Sequence, residues 1–117
     1  MNNLFPILDK LGAETTDALE RFMDDEEMYL KYVRAFPEEP TMARLTAAVA
    51  AKDYEEAEKA VHALKGIVNN LGFLPLADAA VDMLESFRDG DVDDALEAWE
   101  DVQKQYALFS DAIRANR

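Results

Sequence analysis

The chain of 117 residues contains no cysteine, and this absence excludes two kinds of protein. Without thiols it can form neither a disulfide framework nor a thiolate metal site, and it fits a reducing compartment. Proline and glycine are also scarce, with four of each. Both residues interrupt helices, whereas the abundant Leu, Ala, Glu and Lys favour them, so the composition indicates a helical protein.

Positive charge is also in short supply. Twelve Lys and Arg stand against 25 Asp and Glu, which gives a formal net charge of −13. Such a chain repels phosphate backbones and anionic lipid headgroups, so nucleic acid and membranes are not expected partners. No apolar run approaches the roughly 20 residues that span a bilayer, and the N-terminal residues lack the features of a secretion signal. We expect a soluble cytoplasmic protein whose partners are other proteins.

Apolar residues recur at helical spacing almost from end to end, and Gly, Pro and Asp mark the breaks. The pattern predicts an all-α fold: an antiparallel four-helix bundle over about residues 24–115, preceded by short additional N-terminal helices. Pro37 and Pro40 are expected to interrupt the first part of the bundle. Because no linker or repeat divides the chain, we expect residues 1–117 to form a single domain. Met1 and the absence of linker-like ends favour a free-standing protein.

The chain has a single histidine, His62, inside a helix predicted for residues 53–71. At about 100° per residue, the apolar residues of this helix form one stripe that must face the core. His62 lies roughly 130° from the centre of that stripe, so the pattern predicts an exposed imidazole in mid-helix. The stripe contains Tyr54, Ala57, Val61, Leu64, Val68 and Leu71, and the opposite side carries Glu55, Glu58, Lys59, Lys65, Gly66 and Asn69.

Two neighbours give this imidazole a chemical setting. Gly66 follows His62 by one turn, where glycine destabilises a helix by about 1 kcal/mol relative to alanine but leaves room for another protein surface. Lys65 is near enough to place its ammonium beside a phosphoryl group on the ring. An exposed imidazole is largely neutral at pH 7 and can act as a nucleophile. Structural explanations also remain open, because surface histidines are common and glycine permits close helix packing.

The run AVHALKGIVNNLG, from Ala60 to Gly72, resembles the signature of histidine phosphotransfer domains. In that signature His, Leu, Lys and Gly precede a stretch of small residues and then Asn-Leu-Gly. Weaker similarity extends over about residues 20–110. The family usually has Ser or Ala after Lys-Gly, whereas this chain has Ile67. Because Ile67 lies towards the edge of the core stripe, we expect it to alter packing and the choice of receiver rather than to block chemistry.

The resemblance implies a bundle that accepts a phosphoryl group from an aspartate of one receiver domain and passes it to an aspartate of another. It implies that His62 is the phospho-acceptor, that Lys65 screens the phosphate charge and that Gly66 leaves the ring accessible. Asn70 and Gly72 would shape the end of the helix. The implied partners are response-regulator receiver domains and a hybrid sensor histidine kinase. The Mg²⁺ needed for transfer belongs to the receiver, so the chain is expected to hold no metal and no cofactor. No glycine-rich phosphate loop or kinase motif is present, so no kinase activity is expected. The protein is expected to be a monomer.

The docking surface is predicted to combine the polar face around His62 with apolar residues of the first short helix. Arg88 has two interpretations: it lies near the phosphorylation surface, or it simply occupies a helix C-terminus, where cations are favoured. The predicted partner-binding residues are Glu58, Lys59 and Asn69 on the polar face, and Leu4, Phe5 and Leu8 on the short helix.

Two other groups of residues resemble metal-binding sites, but the sequence supports them less well. The acidic residues from Asp89 to Glu100 match several ligand positions of a calcium-binding loop, but Asp94 stands where that loop needs glycine. Carboxylates near His62 have ligand-like spacing, but a di-metal bundle site needs two inward-facing histidines. The aromatic residues of the last helix are best explained as core.

One alternative function remains: an interaction module of the same fold that docks on receiver or kinase domains without carrying phosphate.

Overall fold

A computed structural model describes residues 3–117 as a set of α-helices and one 3₁₀ turn, with no strand in that range. Met1 and Asn2 lie outside the described residues, and so does the expectation drawn from Met1. None of the described helices is long and apolar enough to cross a membrane. The helices are α1 (Leu4–Lys10), α2 (Thr15–Arg21), α3 (Glu26–Ala35), α4 (Thr41–Ala50), α5 (Tyr54–Leu71), α6 (Leu74–Arg88) and α7 (Val92–Asn116), and the 3₁₀ turn is Phe36–Glu38.

Aspartate side chains begin three of these helices. Asp25, Asp53 and Asp91 each accept a hydrogen bond from the backbone N–H three residues later, which caps α3, α5 and α7. Each such cap stabilises its helix by about 1 kcal/mol. Because α7 continues unbroken from Val92, the acidic segment around Asp91 is a capped helix start rather than a calcium-binding loop. Within residues 3–117, no group of three or more candidate ligands is placed to hold a metal ion.

The four consecutive helices α4 to α7 are joined by short connections, and each packs along the next. Short connections of this kind place neighbouring helices antiparallel. The 3₁₀ turn, which contains Pro37, packs against α7, and α3 packs against both α5 and α7 to complete the bundle. Of the two short N-terminal helices, α1 packs on α7 and α2 on α5. The predicted antiparallel four-helix bundle with short N-terminal additions is confirmed.

The inward face of α5 is the part of the core that positions the site. Every residue of its predicted stripe is buried except Tyr54, which is half-buried with its ring centroid 6.0 Å from that of Phe87. Ala60, which the stripe omitted, is fully buried as well. Two turns of buried residues before His62 and three after it hold the α5 backbone against its neighbours.

The first short helix differs from its prediction. Leu4 and Leu8 are fully buried, so the expectation that they lie outside the core and contact a partner is wrong. Phe5 is half-buried, and its ring stacks on that of Tyr29 with a centroid separation of 5.9 Å. The physical reason is that a helix of seven residues is not stable alone. Packing on α7 buries its leucines, which lie one turn apart, in the bundle.

Candidate functional site

His62 lies in the middle of α5, a helix of 18 residues, and is exposed. The residues that flank it on the core side, Val61 and Leu64, are both fully buried. Asp53 caps the start of the helix, and Gly72, with a left-handed φ of 81°, ends it. The α5 backbone that carries the imidazole is therefore capped at both ends and packed against the core on one side, while the ring itself faces solvent. This placement agrees with the helical periodicity.

Gly66 lies one turn after His62 and is also exposed. A Cβ atom built on Gly66 would meet no other atom within 4 Å, apart from the local backbone of its own helix. No neighbouring helix approaches it, so the explanation that this glycine permits close helix packing is wrong. Because a glycine in a helix interior is destabilising, its presence on an open face indicates a requirement from outside the fold.

We predict that Gly66→Ala makes the protein more stable and less active. The free energy of unfolding should rise by about 0.5–1 kcal/mol, because alanine restricts the unfolded chain and clashes with nothing. The methyl group would at the same time crowd the approach to His62. Urea unfolding and the rate of phosphoryl uptake from a phosphorylated receiver test the two effects on one sample. Ala63→Gly, one residue from the ring, is the matched control and should lower stability. Unchanged uptake by Gly66→Ala would show that the bare position is not needed for access.

The face that carries His62 is polar and charged. Lys59 makes an exposed ion pair with Glu55, with the Nζ and Oε1 atoms 3.8 Å apart. At the edge of this face, a hydrogen bond from Arg44 of α4 lowers the pKa of Glu56 below its usual value. The helix also places the other predicted residues of this side around the imidazole: Glu58 and Lys65, which are half-buried, and Asn69, which is exposed.

The C-terminal end of α5 is held by residues far away in the sequence. The Arg21 guanidinium donates to the backbone oxygen of Asn69 at 2.7 Å and to that of Asn70 at 3.3 Å. The buried hydroxyl of Tyr29 donates to the backbone oxygen of Leu71 at 2.8 Å, and burial raises the pKa of this tyrosine. Sequence reasoning missed Arg21 because a cation that satisfies a helix end from 48 residues away leaves no local pattern.

Arg88 is the last residue of α6 and follows Phe87, whose ring lies 6.0 Å from that of Tyr54 at the start of α5. Tyr54 precedes His62 by two turns, which is about 12 Å along the helix axis. This placement favours the interpretation of Arg88 as a cation at a helix C-terminus.

An apolar surface near the C-terminal half of α5 was not foreseen from the sequence. Met23 is 91% exposed, and Met28 and Tyr32 are about half exposed. Together with Phe22 and Ile67 they line an open pocket of about 630 Å³, and we call these five residues the apolar docking surface. Ile67 is half-buried at the edge of the core, as predicted.

The backbone explains why these apolar side chains are exposed. Met23 and Asp24 both have left-handed φ values, 56° and 60°, which turn the chain sharply between α2 and α3. On α3 the buried residues are Tyr29, Leu30 and Val33, so Met28 and Tyr32 lie beside the core stripe rather than in it. Apolar periodicity alone does not show which apolar positions of a helix a neighbouring helix covers.

These observations define a class of protein: a helical bundle that presents one imidazole, flanked by a lysine and a bare glycine, to solvent. The family model for the Hpt domain matches residues 17–114, which run from α2 almost to the end of α7. The chain belongs to the Hpt domain family, whose members carry out histidine phosphotransfer in phosphorelays and interact with receiver domains. Searches of curated proteins and of solved structures gave no significant match.

Proposed function

We propose that this protein is a phosphorelay intermediate in which His62 accepts a phosphoryl group from a receiver aspartate and passes it to an aspartate of another receiver. The observation that carries the proposal is the exposed imidazole beside Gly66, whose missing side chain serves no contact within the fold. A ring nitrogen attacks phosphorus, a P–N bond forms, and the P–O bond to the aspartate breaks as the carboxylate leaves. The reverse attack by a second carboxylate returns the ring to its starting state.

Different residues of α5 have different roles in this phosphoryl transfer. Lys65 places positive charge near a group that carries about −1.5 to −2 charge at pH 7. Gly66 leaves space for the receiver, and the end of the helix at Asn70 and Gly72 keeps the backbone in register. The receiver supplies the Mg²⁺ that neutralises charge during transfer, and the chain contributes orientation and electrostatics. Glu58, Lys59 and Asn69 would form the polar rim of the interface.

In this proposal the apolar docking surface replaces the docking contacts predicted for Leu4 and Leu8, which are buried. An ordinary interface covers about 800 Å² on each partner, a patch roughly 30 Å across. Ile67 lies about 7.5 Å from His62 along the axis and about 140° around it, so the pocket borders the His62 face, and a patch of that size centred between them would reach both. Asp24 and Asp25 beside the pocket and Glu39 in its wall add negative charge, against the single positive charge of Arg21, which also lines it. The occupant that fits is a receiver helix presenting a large apolar side chain with basic neighbours.

We predict that Tyr32→Ala weakens receiver binding about tenfold, because an exposed aromatic side chain at an apolar pocket is a typical binding hot spot. Isothermal titration with an unphosphorylated receiver that co-purifies with the protein measures the effect. Leu108→Ala, which removes an exposed leucine from α7 outside the pocket, should leave affinity unchanged. Equal affinities for these two variants would remove the pocket from the interface. Phe5→Ala tests the remaining prediction on α1.

Transfer of label between receivers tests the proposed function. A receiver labelled on its aspartate is mixed with the protein, and the label is followed onto this chain and then onto a second receiver. Label on histidine is lost in acid and survives in alkali, which separates it from an acyl phosphate. Receivers that bind but transfer no label would support the alternative, an interaction module that docks on receiver or kinase domains without carrying phosphate.

A further inference from the structure

We expect the imidazole of His62 to lie over the helical turn that precedes it. In an α-helix the Cα–Cβ bonds tilt towards the N-terminus, so a side chain lies over the turn before its own Cα. That turn carries Glu58 and Lys59, which precede His62 by four and three residues. A phosphoryl group on the ring would therefore lie near these two side chains as well as near Lys65.

Lys59 is available for such a group. Its side chain is 63% exposed, and its ion pair with Glu55 joins two side chains that are both mostly in solvent. Pairs of this kind hold weakly and are screened by salt, so the ammonium can leave Glu55 at little cost. Residues three apart on a helix are neighbours, with Cβ atoms about 5–6 Å from each other, which is within reach of a lysine.

We propose that Lys59 is a second cation for the phosphoryl group on His62, and that it leaves Glu55 for that group when the ring is phosphorylated. This inference rests on the proposed function. A phosphoryl group carries up to about two negative charges and so attracts an ammonium more strongly than one carboxylate does. On the helix, Lys59 lies about 60° to one side of His62, towards solvent, and Lys65 lies about 60° to the other side, towards the core stripe.

Glu58 acts in the opposite sense. It shares the turn beneath the ring with Lys59, and its carboxylate repels a phosphoryl dianion. If the ring lies over this turn, replacing Lys59 should therefore disfavour phosphorylation of His62, and replacing Glu58 should favour it. A ring directed instead towards Lys65 and Gly66 would be insensitive to both.

Phosphorylation by potassium phosphoramidate tests the inference without a partner protein. A ring nitrogen forms a bond to phosphorus while the P–N bond of phosphoramidate breaks and ammonia leaves. At fixed phosphoramidate and ammonium concentrations and low salt, ³¹P NMR gives the ratio of phosphorylated to free protein. We expect Lys59→Gln to lower this ratio about two- to fivefold, the range of an exposed charge pair, and Lys59→Arg to restore it. Glu58→Gln should raise it, and about 1 M salt should shrink all of these differences.

The controls separate this inference from the proposed function. Lys104→Gln removes an exposed lysine from α7 and should match the parent. If Lys59→Gln also matches the parent while Lys65→Gln does not, Lys59 does not contact the phosphoryl group and the inference is wrong. If the parent takes up no phosphoryl group from phosphoramidate or from any receiver, the proposed function itself fails.

Discussion

The His62→Gln protein is expected to take up no label from a phosphorylated receiver, a loss of at least about 100-fold relative to the parent. The glutamine amide has no nucleophilic lone pair comparable to that of an imidazole nitrogen. The chain contains no second histidine that could replace it. Because His62 is exposed, the free energy of unfolding should change by no more than about 0.5 kcal/mol. The expected outcome is a folded protein that binds receivers and carries nothing.

Three measurements on the same samples make this prediction decisive: uptake of label, thermal unfolding and receiver affinity. Glu100→Gln places the same new side chain on an exposed position of α7, away from α5, and should take up label like the parent. Equal labelling of His62→Gln and the parent would mean that another residue accepts the phosphoryl group. If neither protein is labelled by any receiver although both bind one, the interaction module is the better description.

Gly72→Ala is expected to destabilise the protein by about 2–4 kcal/mol, through two separate effects. The φ of 81° lies in the left-handed region, where a Cβ atom costs roughly 1–2 kcal/mol. That atom would also lie 2.7 Å from the backbone oxygen of Glu14 and 2.9 Å from the Cβ of Ala18. Overpacking of this kind typically costs about 1–3 kcal/mol. The melting temperature should fall by roughly 10 °C or more.

Gly90→Ala provides a matched control for the second effect. Gly90 has a similar φ of 76°, but a Cβ atom there would meet nothing within 4 Å. Its substitution should therefore destabilise the protein by about 1–2 kcal/mol, from the backbone conformation alone. The difference between the two free energies of unfolding, measured in urea, isolates the contact of α2 with the end of α5. Equal losses would show that α2 shifts away at no cost.

The features of α5 show how much of the structure can be predicted from residues that are close together in the sequence. Its apolar period predicted the buried side, and the burial of Leu64 and the exposure of His62 both follow from it. Asp53 and Gly72 marked its two ends because a cap and a left-handed residue act on the adjacent backbone. The edge position of Ile67 follows from the same geometry.

The docking contacts are the part of the site that the local sequence pattern did not predict. The leucines of α1 were expected to face a partner, but they face α7. Met28 and Tyr32 are apolar or aromatic residues of α3, yet each is about half exposed. Periodicity identifies an apolar side chain without saying whether another part of the same chain or a partner will bury it.

The sequence by itself therefore determined the helices, their ends, the exposed position of His62 and the resemblance that named its chemistry. All of these depend on residues within a few turns of one another. Only the tertiary structure decided that α1 belongs to the core, that Arg21 closes the end of α5, and that an apolar pocket opens beside Ile67. It also showed that nothing within the fold needs Gly66 to be a glycine. These facts depend on which surfaces meet across 40 or more residues of chain, and helix packing rather than local propensity settles that.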